Sequence, residues 1–311
     1  MGDRDGRREQ RRDAATAAFE QARPRLWSLA YRMLGSVADA EDAVQTTWLK
    51  WRGADSAAVE QPEAWLVTTC TRTCLDLRRA ADRSRVDYVG LWLPEPVPDD
   101  PLLGTPARNP AEQAELASSL TLAFLHLLER LTPAERAAYL LREIFDYDYE
   151  RVAAILGKRE PACRQLVARA RRALAAAPES AAPAARGGAL LDSFLAALSS
   201  GDAGRLEGLL AADVELLSDG GGKASVASKV VRGPRAVARF LAGIWRLHYR
   251  AQQVEPVPLN GGKGLLIREA GLVTGTLSLS ADAEGRCLRI YIQRNPDKLR
   301  HLQDLPAATR H

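Results

Sequence analysis

The stretch Glu150–Leu174, ERVAAILGKREPACRQLVARARRAL, changes character halfway along. An apolar helical pattern comes first, glycine follows at position 157, and the second half is rich in arginine. Ala153 is small where two helices would cross, and Gly157 suits a left-handed turn between them. The spacing predicts a helix-turn-helix whose second helix begins near Glu160 or Pro161.

The second helix of this motif presents polar side chains that suit duplex DNA. Val152, Leu156, Cys163 and Leu166 would face inward and fix the crossing of the two helices. Early residues of the exposed face would reach base edges in the major groove, and later ones would meet phosphates. That face consists of Arg164, Gln165, Arg169, Arg171 and Arg172. The residues alone also allow an ordinary helical hairpin with a solvated basic face.

Composition limits the class of protein. With 311 residues and 46% hydrophobic content, the chain is long enough for at least two packed domains, which excludes wholesale disorder. The net charge of +4 is only mildly basic, so an acidic partner is favoured only where basic residues cluster. The charged first fifteen or so residues resemble a solvated tail without a secretory signal, and no apolar run has membrane-spanning length. We therefore expect a cytoplasmic protein that does not enter a membrane.

The four cysteines indicate neither a disulfide framework nor a metal site. Cys70 and Cys74 lie one helical turn apart, but no second pair and no nearby histidine completes a zinc set. Together with Cys163 and Cys287 they are interpreted as small core residues. We expect no metal and no cofactor.

The amino-terminal third predicts a helical bundle over residues 15–88. Residues 24–52 have the pattern of two helices broken near Gly35 and Ser36, and residues 62–85 have that of a third. On the second helix, an acidic face leaves the apolar stripe and would suit a basic partner. It consists of Asp39, Glu41, Asp42 and Gln45. A merely solvated helix face is the alternative.

The remainder divides into a linker, a second helical block and an α+β domain. Residues 89–110 are rich in proline, which forbids regular helix, and Trp92 and Leu93 within them are expected to dock on a domain surface. Residues 111–177 form the second helical block. Residues 187–305 contain two amphipathic helices, six strand-like segments and a short last helix that begins at Asn295-Pro296.

Several of these segments resemble a known family. YRMLGSVADAEDAVQTTWLKW resembles region 2 of the extracytoplasmic-function (ECF) sigma factors of bacterial RNA polymerase, and the block from Leu128 to Leu174 resembles their region 4. WLPEPV, DGGGK at 219–223 and NPDKL at 295–299 are similar to the subgroup with a fused SnoaL-like domain. The resemblance covers residues 15 to 305. It implies a multidomain fold class: two all-α sigma domains followed by an α+β SnoaL/NTF2-like cone.

The resemblance implies a role for each sigma region. The acidic face would dock on the clamp helices of core RNA polymerase, and region 4 would read the minus-thirty-five element of promoter DNA. A basic track in region 2 would follow the single strand of the minus-ten element. It consists of Arg72, Arg78, Arg79, Arg83 and Arg85. The family often has serine before the recognition helix, where this chain has Arg159, so the start of that helix is left open.

The resemblance also implies regulation in cis by the last domain, through contacts between three motifs. The residues concerned are Trp92, Leu93, Pro94, Asp219, Gly220, Gly221, Gly222, Lys223, Asn295, Pro296, Asp297 and Lys298. We expect a promoter-specificity subunit that is not an enzyme and is a monomer when free. A one-component DNA-binding regulator with a small-molecule-sensing cone is the alternative, and ligand binding in the pocket is left open. A third class is a tethered enzyme that uses Asp219, His248 or Tyr249.

Overall fold

The computed structural model describes residues 2–55, 58–84, 87–99, 118–175, 184–249 and 251–306. They form two compact units. The first unit contains the described residues up to Ser84 and those from Glu129 to Ala173. The second contains 87–99, 118–128 and the residues from Leu174 onward. Within the described part, no helix is both long enough and apolar enough to cross a membrane.

Three helices begin the first unit: α1 (Gly2–Leu34), α2 (Val37–Gly53) and α3 (Pro62–Ser84). The predicted break between the first two is confirmed. Gly35 has φ of 69°, and the Ser36 hydroxyl caps α2 by accepting a hydrogen bond from the backbone N–H of Asp39 at 3.3 Å. The first fifteen residues, which were expected to be a solvated tail, are helical from Gly2 onward, and residues 12–14 are exposed. The Arg, Glu, Gln and Ala residues of this segment are good helix formers.

The helix-turn-helix lies in the same unit. This part of the unit contains α5 (Pro133–Tyr139), a π-helical turn (Leu140–Ile144), α6 (Tyr149–Leu156) and α7 (Glu160–Ala175). Helices α6 and α7 are the two helices of the motif. Gly157 has φ of 62° and ends α6 in the left-handed conformation, as its position in the motif predicted. Helix α7 begins at Glu160, which settles the start that Arg159 had left open. Short helix α4 (Leu122–Leu128) belongs to the second unit.

The second unit is built on one mixed sheet of six strands. These are β1 (Leu210–Asp219), β2 (Val231–Arg232), β3 (Gln253–Leu259), β4 (Gly262–Glu269), β5 (Leu272–Ala281) and β6 (Cys287–Gln293). Their order is β2-β1-β6-β5-β4-β3, and only the β1–β6 pair is parallel. The carboxyl ends of β1 and β6 therefore lie side by side, with Asp219 opposite Gln293.

Helices α8 (Ala184–Ser200), α9 (Ala203–Gly208) and α10 (Pro234–Ile244) accompany the sheet. Phe194 of α8, Leu241 of α10 and Ile290 of β6 belong to one buried apolar cluster, which explains why the amphipathic helices and the sheet fold together. A π-helical turn (Trp245–Tyr249) extends α10, and a 3₁₀-helix (Pro296–Leu302) follows β6. The predicted α+β architecture is confirmed.

Candidate functional site

The exposed face of α7 carries the predicted base-reading residues. Gln165 and Arg172 are exposed. The other three arginines are largely exposed but form ion pairs with carboxylates: Arg164 with Glu160 at 3.1 Å, Arg169 with Glu135 at 3.1 Å and Arg171 with Glu143 at 2.8 Å. Exposed pairs of this kind are worth at most about 1 kcal/mol, so phosphates can replace the carboxylates.

The acidic face of α2 is open to solvent. Glu41, Asp42 and Gln45 are exposed, whereas Asp39 is half-buried at the capped start of the helix. Leu49 lies one turn beyond Gln45 and leaves 59% of its surface in water. Leu49 extends the acidic face with an apolar group, which the sequence analysis missed. Its position four residues after Gln45 was the available signal.

The predicted DNA track of region 2 is partly engaged with region 4 inside the first unit. Arg72 donates from Nε to the carbonyl of Ile155 at 3.1 Å and from Nη2 to that of Ala154 at 3.3 Å. These carbonyls lie in the last turn of α6, where the helix dipole favours a cation. Arg79 is exposed beside Asp76. The side chain of Arg83 and all of Arg85 lie outside the described residues.

A second contact between the two regions centres on a carboxylate that the sequence analysis did not single out. Glu129 receives two hydrogen bonds from Arg78, at 3.0 and 2.7 Å, and one from Arg136 at 2.8 Å. Arg136 also donates to the carbonyl of Met33 in α1, at 2.9 Å. The side chains of Arg78 and Arg136 are 6% and 1% exposed. Glu129 is thus a carboxylate partner shared by two buried guanidinium groups, and such a partner offsets the cost of burying their charges.

In the second unit, Asp219 brings the three motifs together. This residue is fully buried at the end of β1. Its carboxylate accepts from the Tyr88 hydroxyl at 2.6 Å, from the backbone N–H of Leu93 at 2.9 Å and from Lys298 Nζ at 2.7 Å. The backbone N–H of Gly221 adds a fourth bond at 3.0 Å. One carboxylate thus contacts the linker, the glycine loop and the last helix.

Lys298 also binds the linker directly. Its side chain is 7% exposed, and Nζ also donates to the Leu93 carbonyl at 2.6 Å. The same ammonium lies 4.1 Å from the ring centroid of Trp92 and 5.0 Å from that of Tyr88, within the range of a cation–π contact. Leu93 and Pro94 are buried, and Trp92 is half-buried.

Tyr88 is a further member of this cluster that the sequence analysis missed. Its hydroxyl accepts a hydrogen bond from Asn295 Nδ2 at 2.9 Å while it donates to Asp219. Burial, followed by the hydrogen bond to Asp219, raises the pKa of Tyr88 well above its usual value. The phenol therefore stays protonated and remains a donor.

The glycine run is required by close approach of the backbone. A Cβ on Gly220 would lie 2.3 Å from the Ala224 carbonyl oxygen, and one on Gly221 would lie 2.2 Å from Asn295 Nδ2. Gly221 and Gly222 also have φ of 57° and 71°. Lys223 then forms an ion pair with Asp297, in the first turn after Asn295 and Pro296. The loop is a tight backbone path of the kind that the sequence predicted.

The linker continues along the sheet after Leu93. The backbone N–H of Val97 donates to Asn260 Oδ1 at 3.0 Å, and the Asn260 N–H donates to the Val97 carbonyl at 2.8 Å. Asp99 accepts from the Gly261 N–H at 2.6 Å. His301 contacts the Pro96 carbonyl at 2.6 Å. The linker is thus bound over residues 88–99.

The residues considered for catalysis do not converge. A cavity of about 130 Å³ in the second unit is lined by His248 and Tyr249, but Asp219 is not part of its wall. The Asp219 carboxylate instead binds the linker and Lys298. No cluster of His, Cys, Asp and Glu within the described residues could hold a metal ion. All four cysteines are buried and unpaired.

Comparison with known proteins agrees with this arrangement. The Sigma-70 region 2 family model matches residues 18–84, and the Sigma-70, region 4 model matches residues 121–174. ECF RNA polymerase sigma factor SigJ of Mycobacterium tuberculosis H37Rv is 40% identical over 228 residues, which cover 73% of this chain and 72% of the relative. Probable ECF RNA polymerase sigma factor SigI of M. tuberculosis CDC 1551 is 30% identical over 292 residues, or 92% and 95% of the two chains.

A solved structure extends the similarity to the second unit. The crystal structure of the M. tuberculosis sigma factor SigJ superposes with a TM-score of 0.72 and 33% identity. The match covers 92% of this chain and 98% of that chain. The helical regions and the mixed sheet therefore follow one another in the same order in both chains. The fold is that of helical sigma domains followed by a SnoaL/NTF2-like domain.

Proposed function

Because the chain belongs to the ECF RNA polymerase sigma factors, we propose that it binds core polymerase through α2, reads promoter DNA through α3 and α7, and is regulated in cis by its last domain. The functional domains would be residues 15–88, 111–177 and 187–305, joined by the linker 89–110. The protein would work in the cytoplasm, where polymerase and promoters are. The regulatory part of the proposal rests on the buried Asp219–Lys298 pair. This pair binds the linker, which is the segment that joins the two sigma regions along the chain.

Core binding is assigned to the acidic face of α2. Glu41, Asp42 and Gln45 are exposed together, and exposed Leu49 continues the same side of the helix. A carboxylate pair beside an apolar group suits a basic helical partner with an apolar centre, since charges orient the contact and apolar burial stabilises it. The same face would repel DNA.

Promoter reading is assigned to α7 and, in region 2, to the arginines of α3. Gln165 is exposed early in α7, where it can donate to and accept from a base edge. Arg164 and Arg169 would exchange their carboxylate partners for phosphates. Arg72 and Arg78 can join DNA only after they leave region 4, because both are engaged with it in the free chain. Promoter binding therefore requires the first unit to open.

Regulation would act through the length of linker available between the sigma regions. Residues 87–99 are bound in the second unit and contribute no free span. Once released, this segment can extend by about 3.4 Å per residue, which adds roughly 45 Å of reach. Separation of regions 2 and 4 on polymerase is therefore linked to release of the linker. The last domain serves as a non-catalytic clamp in this mechanism.

Co-purification of the full chain with core polymerase tests the proposal. Asp42→Arg should weaken binding at least tenfold, while Asp219→Asn, which weakens the linker site, should increase binding and transcription from a cognate promoter. Glu207→Arg on α9 makes the same charge change at an exposed position of the second unit and should leave binding unchanged. Failure of both the wild-type chain and Asp219→Asn to bind polymerase would defeat the proposal.

A further inference from the structure

The cavity of about 130 Å³ in the second unit has a wall that is apolar except at a few points. Val226, Phe240, Ile244 and Ile292 provide apolar surface, and Arg294 enters from the end of β6. A dry cavity of about 150 Å³ is known to hold a single benzene ring. The space therefore suits one ring or an aliphatic group of similar size.

Arg294 is half-buried and places a positive charge at this cavity that no lining carboxylate neutralises. Its Nη1 donates to the Ser225 carbonyl at 3.1 Å, whereas Nε is buried without a hydrogen-bond acceptor among the described residues. Its guanidinium carbon lies 5.7 Å from the ring centroid of Tyr249. No Asp or Glu occurs among the residues lining the described cavity. A buried donor is costly unless it meets an acceptor, so Nε favours an acceptor at this end of the cavity.

We infer that this cavity binds a small organic carboxylate, whose apolar body fills the cavity and whose carboxylate pairs with Arg294. A guanidinium presents N–H groups in a planar fork that matches a carboxylate, and an aromatic or short aliphatic body matches the walls. The exposed His248 imidazole at the cavity offers a second polar contact.

The position of Arg294 connects this site to the linker. The backbone N–H of Arg294 donates to the Asp219 carbonyl at 2.7 Å, and its side chain holds Ser225 in the loop that starts at Asp219. Val226 of the same loop lines the cavity and lies close enough to Gly220 that a Cβ there would come within 3.0 Å of its Cγ2. The loop is therefore shared by the cavity and the linker site. This coupling rests on the proposed regulatory function.

Whether a ligand favours the bound or the released linker depends on the state of the linker in which the cavity is formed. The described cavity has its loop in the conformation that also presents Asp219 to Leu93 and Lys298. A ligand that fits this conformation binds the linker-bound state more tightly than the released state and shifts the equilibrium toward it. By linkage, release of the linker lowers the affinity for the ligand by the same factor by which the ligand favours the bound linker. The carboxylate would act as a repressor.

Calorimetric titration of the full chain with benzoate, and with benzamide as the uncharged match, tests the site. Benzoate should bind about tenfold or more tightly than benzamide, as expected for a charge-assisted hydrogen bond. Arg294→Gln should remove this preference. Arg286→Gln, which changes an exposed arginine in the turn before β6, should keep it. Benzoate should also slow hydrogen exchange in residues 87–99, and Asp219→Asn should weaken benzoate binding.

Two results would overturn the inference. Absence of benzoate binding, or equal binding of acid and amide in the wild-type chain, removes the carboxylate site. Binding that depends on Arg294 but leaves exchange of the linker unchanged removes the coupling. Polymerase binding by the same preparation without ligand is measured in parallel. A chain that binds polymerase but not benzoate would defeat this inference alone and leave the sigma-factor function standing.

Discussion

Substitution of Asp219 by asparagine should release the linker without unfolding the last domain. Asparagine keeps the size of the side chain but not its charge, and it keeps only one acceptor oxygen. The Leu93 N–H and Lys298 Nζ share the Oδ2 atom of the Asp219 carboxylate, so an amide group in that position removes the acceptor of both. The ammonium would then be buried without its carboxylate, since only 7% of the lysine side chain is exposed. Removing one partner of a buried ion pair costs about 3–5 kcal/mol.

The lower end of that range applies here, because water can enter the site once the linker has left. About 3 kcal/mol corresponds to a shift of roughly 100-fold in the ratio of bound to released linker. Hydrogen exchange followed by mass spectrometry on the full chain measures this shift directly. The Leu93 amide, which donates to Asp219, should exchange about 100-fold faster, together with the rest of residues 87–99. Exchange in β5 and β6 should stay slow.

A matched control is provided by an exposed carboxylate near the start of the same strand. Asp213→Asn makes the same change in β1 and should change linker exchange little. Trp92→Ala gives an independent test, since it deletes the ring over Lys298 and should accelerate exchange about tenfold. Unchanged linker exchange in both Asp219→Asn and Trp92→Ala, with the sheet still protected, would refute the role of this cluster.

Three other changes test the first unit and its surfaces. Glu129→Gln leaves two buried guanidinium groups without their shared carboxylate and should lower the free energy of unfolding by about 3 kcal/mol in urea titration. The control variant Glu143→Gln, whose partner arginine is exposed, should lower the free energy of unfolding by less than about 1 kcal/mol. Asp42→Arg should raise the dissociation constant for core polymerase at least tenfold in fluorescence anisotropy, and an equal effect of Glu207→Arg would contradict a specific face. Gln165→Ala should reduce discrimination between cognate and altered minus-thirty-five sequences by about 1–3 kcal/mol in competition binding, and uniform weakening for all sequences would speak against base reading.

Local patterns predicted much of this fold. Strands β3, β5 and β6 have the limits expected from apolar runs between glycine-bearing turns, and Gly157 and Asn295 have the backbone roles that their residue types indicate. These features depend on neighbours in sequence, through turn geometry, capping and periodicity.

Partners set by tertiary packing could not be predicted in the same way. Glu129 belongs to an unremarkable surface-like pattern, yet it binds Arg78 from 51 positions earlier in the chain. Tyr88 and Asn260 reach residues more than a hundred positions away, and no periodicity records such a meeting. Arg72 fits equally well as a phosphate contact and as a cap on a distant helix. The sequence shows the charge and the residue type of each of these side chains, but it does not show which distant residue each side chain contacts.

Because Arg72 and Arg78 are occupied by protein groups in the free chain, the resting molecule offers fewer cations to nucleic acid. Non-specific affinity for duplex DNA rises steeply with each phosphate neutralised, and a chromosome presents a vast excess of random sites. Under the proposed function, internal pairing of these arginines would limit sequestration of the chain on the bulk genome. The chain would then be free to meet polymerase first, and only the assembled holoenzyme would have the full set of charges with which to search for a promoter.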